Sequence, residues 1–189
     1  MTTTPQKIDA ASLPTWNLAD LYAGPDAPEL ASDIAKMKTD AADFKAAYQG
    51  KLATGDASTL ASALAAYETL ADMMGRIAAF GFLHYVGDQQ DGDRRKLFGD
   101  IQGKLTEASS ELIFFELELN QIEDGALAAA LKSLELSRFT PWFNDLRKEK
   151  PFQLDEKLEQ AFHDKSQTSR AAFNRLFDET MSSLRFNVD

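Results

Sequence analysis

The side chains able to perform acid–base, nucleophilic or metal chemistry are few and poorly spaced. Cysteine is absent, which removes thiolate nucleophiles, disulfides and cysteine-based zinc sites. Only two histidines occur, His84 and His163. A zinc site using both would still need carboxylates, and no His-Glu-x-x-His spacing brings two imidazoles to one helix face. His84 falls near the carboxyl end of a helical segment, where the dipole favours a cation. A structural or solvated role suits each histidine. Asp88, Asp91 and Asp93 invite a calcium loop, but placing Gly92 sixth puts Gly87 first and Phe98 twelfth, where aspartate and glutamate belong. These aspartates read as turn and cap residues. Glu116 and Glu118 point in different directions on a helix and form no acid–base pair. Arg147-Lys148-Glu149-Lys150 reads as a solvated run matched to a helix end. No glycine-rich phosphate loop or nucleophile elbow is present. The expectation is therefore that no residue here is catalytic, cofactor-binding or metal-binding.

The elements that would position such groups are helices. Between Glu29 and Thr140 there is no proline, so long uninterrupted helices separated by glycine turns are expected. The longest runs from Asp93 to Leu119, with apolar residues at Leu97, Ile101, Leu105, Ala108, Leu112, Phe115 and Leu119. Steps of three and four define one buried stripe, on a helix roughly 40 Å long. Before it, one helix starts at Pro28 and is stopped by Gly50. A second, capped by Asp56 or Ser58, reaches about Val86. Short connections make these neighbours antiparallel. Gly81 with Gly99, and Ala78 with Gly103, are expected to let the second and central helices approach closely.

Shorter elements follow. Asp124 caps a helix bearing Leu127, Leu131 and Leu134, and Thr140-Pro141 opens another with Trp142, Phe143 and Leu146 inward. A third starts at Leu154 and Asp155 with Leu158, Ala161 and Phe162. A fourth starts at Thr168 or Ser169 and carries Ala172, Phe173, Leu176, Phe177 and Met181. Leu184, Phe186 and Val188 alternate with polar residues, a strand pattern without an upstream partner. The fold class is thus all-α: an antiparallel helical bundle with a long central helix and a short strand at the carboxyl end. The expected organisation is a loose leader over residues 1–12, a helical domain over 13–183 with Trp16 as an aromatic anchor, and a strand or hairpin beginning at 184–189.

Composition excludes several partner classes. A length of 189 residues with 44% hydrophobic side chains supports a real core in one domain. The formal charge of −10 argues against nucleic acid, whose phosphates demand a basic surface. No apolar run is long enough for a membrane span, and the amino terminus lacks a secretion signal, consistent with a cytoplasmic protein.

Four further stretches carry a resemblance. Trp16-Asn17-Leu18-Ala19-Asp20-Leu21-Tyr22, Phe44 to Leu52, Phe114 to Leu119 and Leu146 to Leu154 resemble, in order, segments of oligoendopeptidase F and related thimet-oligopeptidase-like zinc metallopeptidases. Phe173 to Thr180, with Leu184-Arg185-Phe186 behind it, is similar to the segment preceding a hairpin in that family. The resemblance implies a mostly helical intracellular enzyme much longer than this chain, enclosing a channel for short peptides. Its zinc would be held by a His-Glu-x-x-His helix and a later glutamate. None of those positions lies in this sequence, so no catalytic or metal residue carries over. The implied role is an amino-terminal domain that walls the channel, with its own catalytic domain and short peptides as partners. The alternative is a stand-alone helical interaction module. Self-association through Leu184 to Val188 is also expected, because an unpaired edge invites it.

Overall fold

The computed structural model describes residues 16–186, and all its regular elements are helical. The expected leader, and Asn187 to Asp189 of the expected strand, lie outside the described residues.

Helix α1 spans Pro28–Tyr48, with proline at its first position, where a missing N–H costs nothing. Gly50, at φ 79°, then reverses the chain in the left-handed region. Asp56 caps α2, Ala57–Val86, by accepting the Thr59 N–H at 2.7 Å. Asp91 caps α3, Gly92–Ser110, accepting the N–H groups of Asp93 and Arg94. Contacts between α1 and α2 run in opposite order: Asp33 meets Arg76, and Phe44 meets Tyr67. On the other side, α2 meets α3 through Gly81 against Ile101 and Tyr85 against Phe98.

The long central helix is divided. After α3 comes a turn at Glu111 and Leu112, then α4, Ile113–Gln121. Across the turn the hydrogen bonds tighten to i→i−3: Glu111 N–H to Ala108, Leu112 N–H to Ser109, Phe115 N–H to Leu112. Just upstream, Thr106 and Ser109 donate their hydroxyls back to the carbonyls of Gln102 and Leu105. Such back-bonding competes with the ladder and bends helices. The apolar stripe nevertheless continues through the break, because Ala108, Leu112, Phe115 and Leu119 are all buried.

The expected close approach of α2 and α3 at paired small residues holds at one position only. Of the three glycines in the expected pairs, only Gly81 is closely approached: a Cβ there would meet Ile101 Cδ1 at 3.0 Å. Gly99 and Gly103 are exposed, with nothing within 4 Å of an added Cβ.

The remaining elements are α5 (Asp124–Ala130), α6 (Leu134–Ser137), α7 (Thr140–Glu149), a 3₁₀ turn (Lys150–Phe152), α8 (Glu156–Ser166) and α9 (Arg170–Ser183). Glu123 rather than Asp124 caps α5, accepting the Ala126 N–H at 2.8 Å. The helix ends before Leu134, which is exposed, while Leu136 on α6 is buried in its place. Trp16 is 76% exposed and does not anchor the amino-terminal segment. Tyr22 does: its ring packs edge-on to Phe80 at 5.4 Å, and its hydroxyl donates to Asp33 at 2.8 Å and accepts from Arg76. Leu184 to Phe186 form no strand, since no strand among the described residues offers them a ladder.

The core centres on an aromatic cluster shared by α1, α2, α4 and α7. Phe115, fully buried, stacks on Tyr67 at 4.3 Å and meets Phe44 edge-on at 5.2 Å, with Trp142 at 6.3 Å. Helices α8 and α9 contribute no buried residue to it.

Candidate functional site: a groove under α8

The candidate catalytic groups do not converge. His84 and His163 line separate grooves, one beside the amino-terminal segment and one beneath α8. Among the described residues no group of three or more His, Asp and Glu is placed to hold a metal ion. The donor set therefore does not fit a zinc site: two imidazoles in different grooves cannot share one ion.

His84 lies at the end of α2, where the dipole favours a cation, but its surroundings oppose the charged form. Its ring stacks on Phe80 at 5.7 Å, and burial, then the charge of Arg94, lower its pKa. Arg94 takes that role instead, its guanidinium donating to the His84 carbonyl at 3.0 Å. Asp88 and Asp91 are turn and cap acceptors, as their spacing implied.

The groove beneath α8 has a volume of about 510 Å³. Its apolar floor comes from Tyr67, Met74, Leu112 and Leu146, and its polar rim from Glu116, Glu149, Glu159 and His163. These residues come from α2, the α3–α4 turn, α4, α7 and α8, so no local spacing could have united them. His163 Nε2 lies 2.8 Å from the Ser109 hydroxyl, which superficially suggests a nucleophile and base. That hydroxyl, however, has one proton, and the Leu105 carbonyl oxygen lies equally near at 2.8 Å. The Leu105 carbonyl competes with the imidazole for that proton, and in either tautomer of His163 the pair ties α8 to α3. Ser110 donating to Asp164 at 2.6 Å repeats the tie one residue on.

Glu116 and Glu118 diverge, as helical geometry requires. Glu118 reaches back to the α1–α2 turn and accepts the N–H groups of Gly50 and Leu52, at 2.5 and 3.1 Å. Replacing Glu118 with Ala leaves both donors unpaired, one of them on fully buried Leu52. The expected loss is about 2 kcal/mol, a melting temperature lower by roughly 4–8 °C in thermal unfolding.

Glu116 faces the groove. Water reaches its side chain, yet protein crowds the carboxyl, and desolvation followed by the charge of Glu149 raises its pKa. The folded state thus binds this proton more tightly than the unfolded chain does. The ionised group opposes folding above its folded pKa, and the cost fades as pH falls through the ordinary carboxylate range. Glu116→Gln is expected to raise the melting temperature near neutral pH. Solvent screening limits the gain to about 1 kcal/mol, or roughly 2–4 °C, and the gain should vanish in acid. An equal gain at every pH would contradict this.

Arg147 departs from the solvated run expected of Arg147 to Lys150: its side chain is mostly buried. It donates to the carbonyls of Asn120 at 2.6 Å and Ile122 at 2.7 Å, closing the end of α4. Buried Asn120 answers by donating to the Leu146 carbonyl at 3.2 Å. Neither residue carried a sequence signal, because each depends on where a distant helix ends.

Comparison with known proteins gives one finding. The family model described as Oligopeptidase F, the amino-terminal module of M3 peptidases, matches residues 118–186, little more than a third of the chain. The match runs from Glu118 through α9 and supports an amino-terminal domain of that family. No curated protein and no solved structure gives a significant match.

Proposed function

From the premise that residues 118–186 belong to an oligopeptidase F amino-terminal domain, we propose that this chain is the non-catalytic helical part of a zinc-dependent oligoendopeptidase. In this reading it forms one wall of the channel through which short peptides reach a catalytic domain encoded by other residues of the parent. The family match carries the proposal. The ordered resemblances at Trp16 to Tyr22 and Phe44 to Leu52 extend it beyond the matched residues.

The residues suit a wall better than a reaction centre. Glu118, Arg147 and Asn120 hold helix ends and turns together, and Ser109 with His163 ties α8 to α3. The chain supplies no catalytic, cofactor or metal residue in this reading, and zinc belongs to the parent. Its partners are the parent's own catalytic domain and short peptide substrates, in the cytoplasm. Among the described residues no helix is long and apolar enough to cross a membrane.

A fluorogenic short peptide tests this. Incubated with the chain and added zinc, it should remain uncut. Turnover that a chelator abolishes would place a complete peptidase site within these 189 residues and overturn the proposal.

A further inference from the structure

The lining of the groove beneath α8 is of two kinds. Leu112 and Leu146 are buried and Tyr67 and Met74 half-buried, so the floor is apolar. Tyr67 is fixed there by its stack on Phe115 at 4.3 Å. Besides the Tyr67 hydroxyl, the titratable groups of the lining are the carboxyls of Glu116, Glu149 and Glu159 and the imidazole of His163. Among the described residues no cation forms an ion pair with any of the three carboxylates. Glu159 accepts the Leu154 N–H at 2.9 Å, a neutral donor that leaves its charge in place. The cations next to Glu149 in sequence are engaged elsewhere, Lys148 with Asp145 and both Arg147 and Lys150 with Asp124.

The site is therefore unbalanced. Burial and the charge of Glu149 both disfavour ionised Glu116, and no side chain of the lining offsets them. A positively charged ligand supplies the missing counter-charge, an anion adds to the repulsion, and a neutral one leaves it unchanged. The net charge of −10 acts in the same direction, drawing cations toward the chain. Two features separate an organic cation from a metal ion. The carboxylates are spread around the rim, and among the described residues no group of three or more is placed to hold a metal. A hard divalent ion needs about six oxygens converging at roughly 2.0–2.6 Å. The floor, moreover, offers nothing to a hydrated metal ion, whereas it removes the body of an alkyl or aryl ammonium from water. A volume of about 510 Å³ matches clefts that hold a small molecule or one or two side chains, not a folded partner.

We propose that the groove beneath α8 binds a small organic cation, an ammonium or guanidinium on an apolar body, with the body on the Leu112 and Leu146 floor and the charge against Glu116 and Glu149. The inference rests on the lining of the groove and does not require the peptidase reading. The probe is phenethylamine, titrated by calorimetry into the whole chain at low salt. Phenethyl alcohol keeps the body without the charge, and hydrocinnamate reverses the charge. The amine should bind at least about tenfold more tightly than the alcohol, with the ratio narrowing as salt rises, and hydrocinnamate should not bind. The double variant Glu116→Gln, Glu149→Gln should reduce the amine to the affinity of the alcohol. Glu135→Gln, which neutralises an exposed carboxylate on α6 outside the groove, should not. Ala71→Trp keeps every charge but places an indole in the groove, and should weaken the amine at least about tenfold. Thermal unfolding of each variant checks that it is folded. Equal binding of amine and alcohol, a preference that survives the double variant, or full affinity in Ala71→Trp would overturn the proposal. So would displacement of the amine by calcium at equal concentration, which would assign the rim to a metal. Two peptides separate the sources of the cation: Leu-Lys-Leu blocked at both ends, and Leu-norleucine-Leu with a free amino terminus. Competition with phenethylamine by the first assigns a side chain, by the second a chain terminus, and by neither a free amine.

Discussion

Phe115→Ala is expected to destabilise the chain by about 4 kcal/mol and lower its melting temperature by roughly 10 °C. Phe115 has no exposed surface and lies among Phe44, Tyr67 and Trp142, from three other helices. Truncation removes a whole ring from a site whose neighbours are anchored on different elements, so the cavity cannot collapse cheaply. It also deletes the stacked contact with Tyr67 and the edge contact with Phe44. Phe115→Leu, which keeps most of the volume, should cost less than half as much. Equal losses for the two variants would show that ring geometry, and not filled volume, holds these helices together.

Arg147→Met should cost about 3 kcal/mol although it keeps an apolar stem of similar length. The guanidinium satisfies two carbonyls at the end of α4, and removing it leaves both without their donor. Arg147→Lys should recover little, because one ammonium group cannot reproduce a two-pronged fork. Thermal unfolding of the two variants separates this account from one in which the charge alone matters. In the latter case lysine would restore most of the stability.

Local signals in the sequence located the first half of the fold well. Pro28, Gly50 and Asp56 mark the ends of α1 and α2 because their effects are covalent or one turn in range. The division at Glu111 and Leu112 was hidden, since a 3₁₀ turn preserves the i, i+3, i+4 apolar pattern that periodicity reads. Thr106 and Ser109 back-bond just upstream of the break, but Thr39 and Thr69 do so inside unbroken helices, so such hydroxyls do not mark a break in a sequence. Periodicity also found the stripes of α8 and α9 while leaving open which way they face. Placing Phe162 and Phe173 inward follows the usual rule, and the structure reverses it because α3 offers them Gln102, Thr106 and Ser109 as polar neighbours.

The candidate site shows the same division. The separation of Glu116 from Glu118 was legible, since two residues on a helix diverge whatever surrounds them. The groove rimmed by Glu116, Glu149, Glu159 and His163 was not, because three separate helices supply its rim and others its floor. The burial of Arg147 was likewise illegible: its partners are backbone carbonyls, which every residue has and no sequence pattern distinguishes.

The central claim is that these helices serve a reaction centre carried by other residues of the same polypeptide. Reading the coding sequence in frame beyond the Asp189 codon tests it most directly. The account predicts a His-Glu-x-x-His motif downstream, followed by a further glutamate. An in-frame stop codon directly after Asp189 would contradict it and leave a self-sufficient helical module in its place.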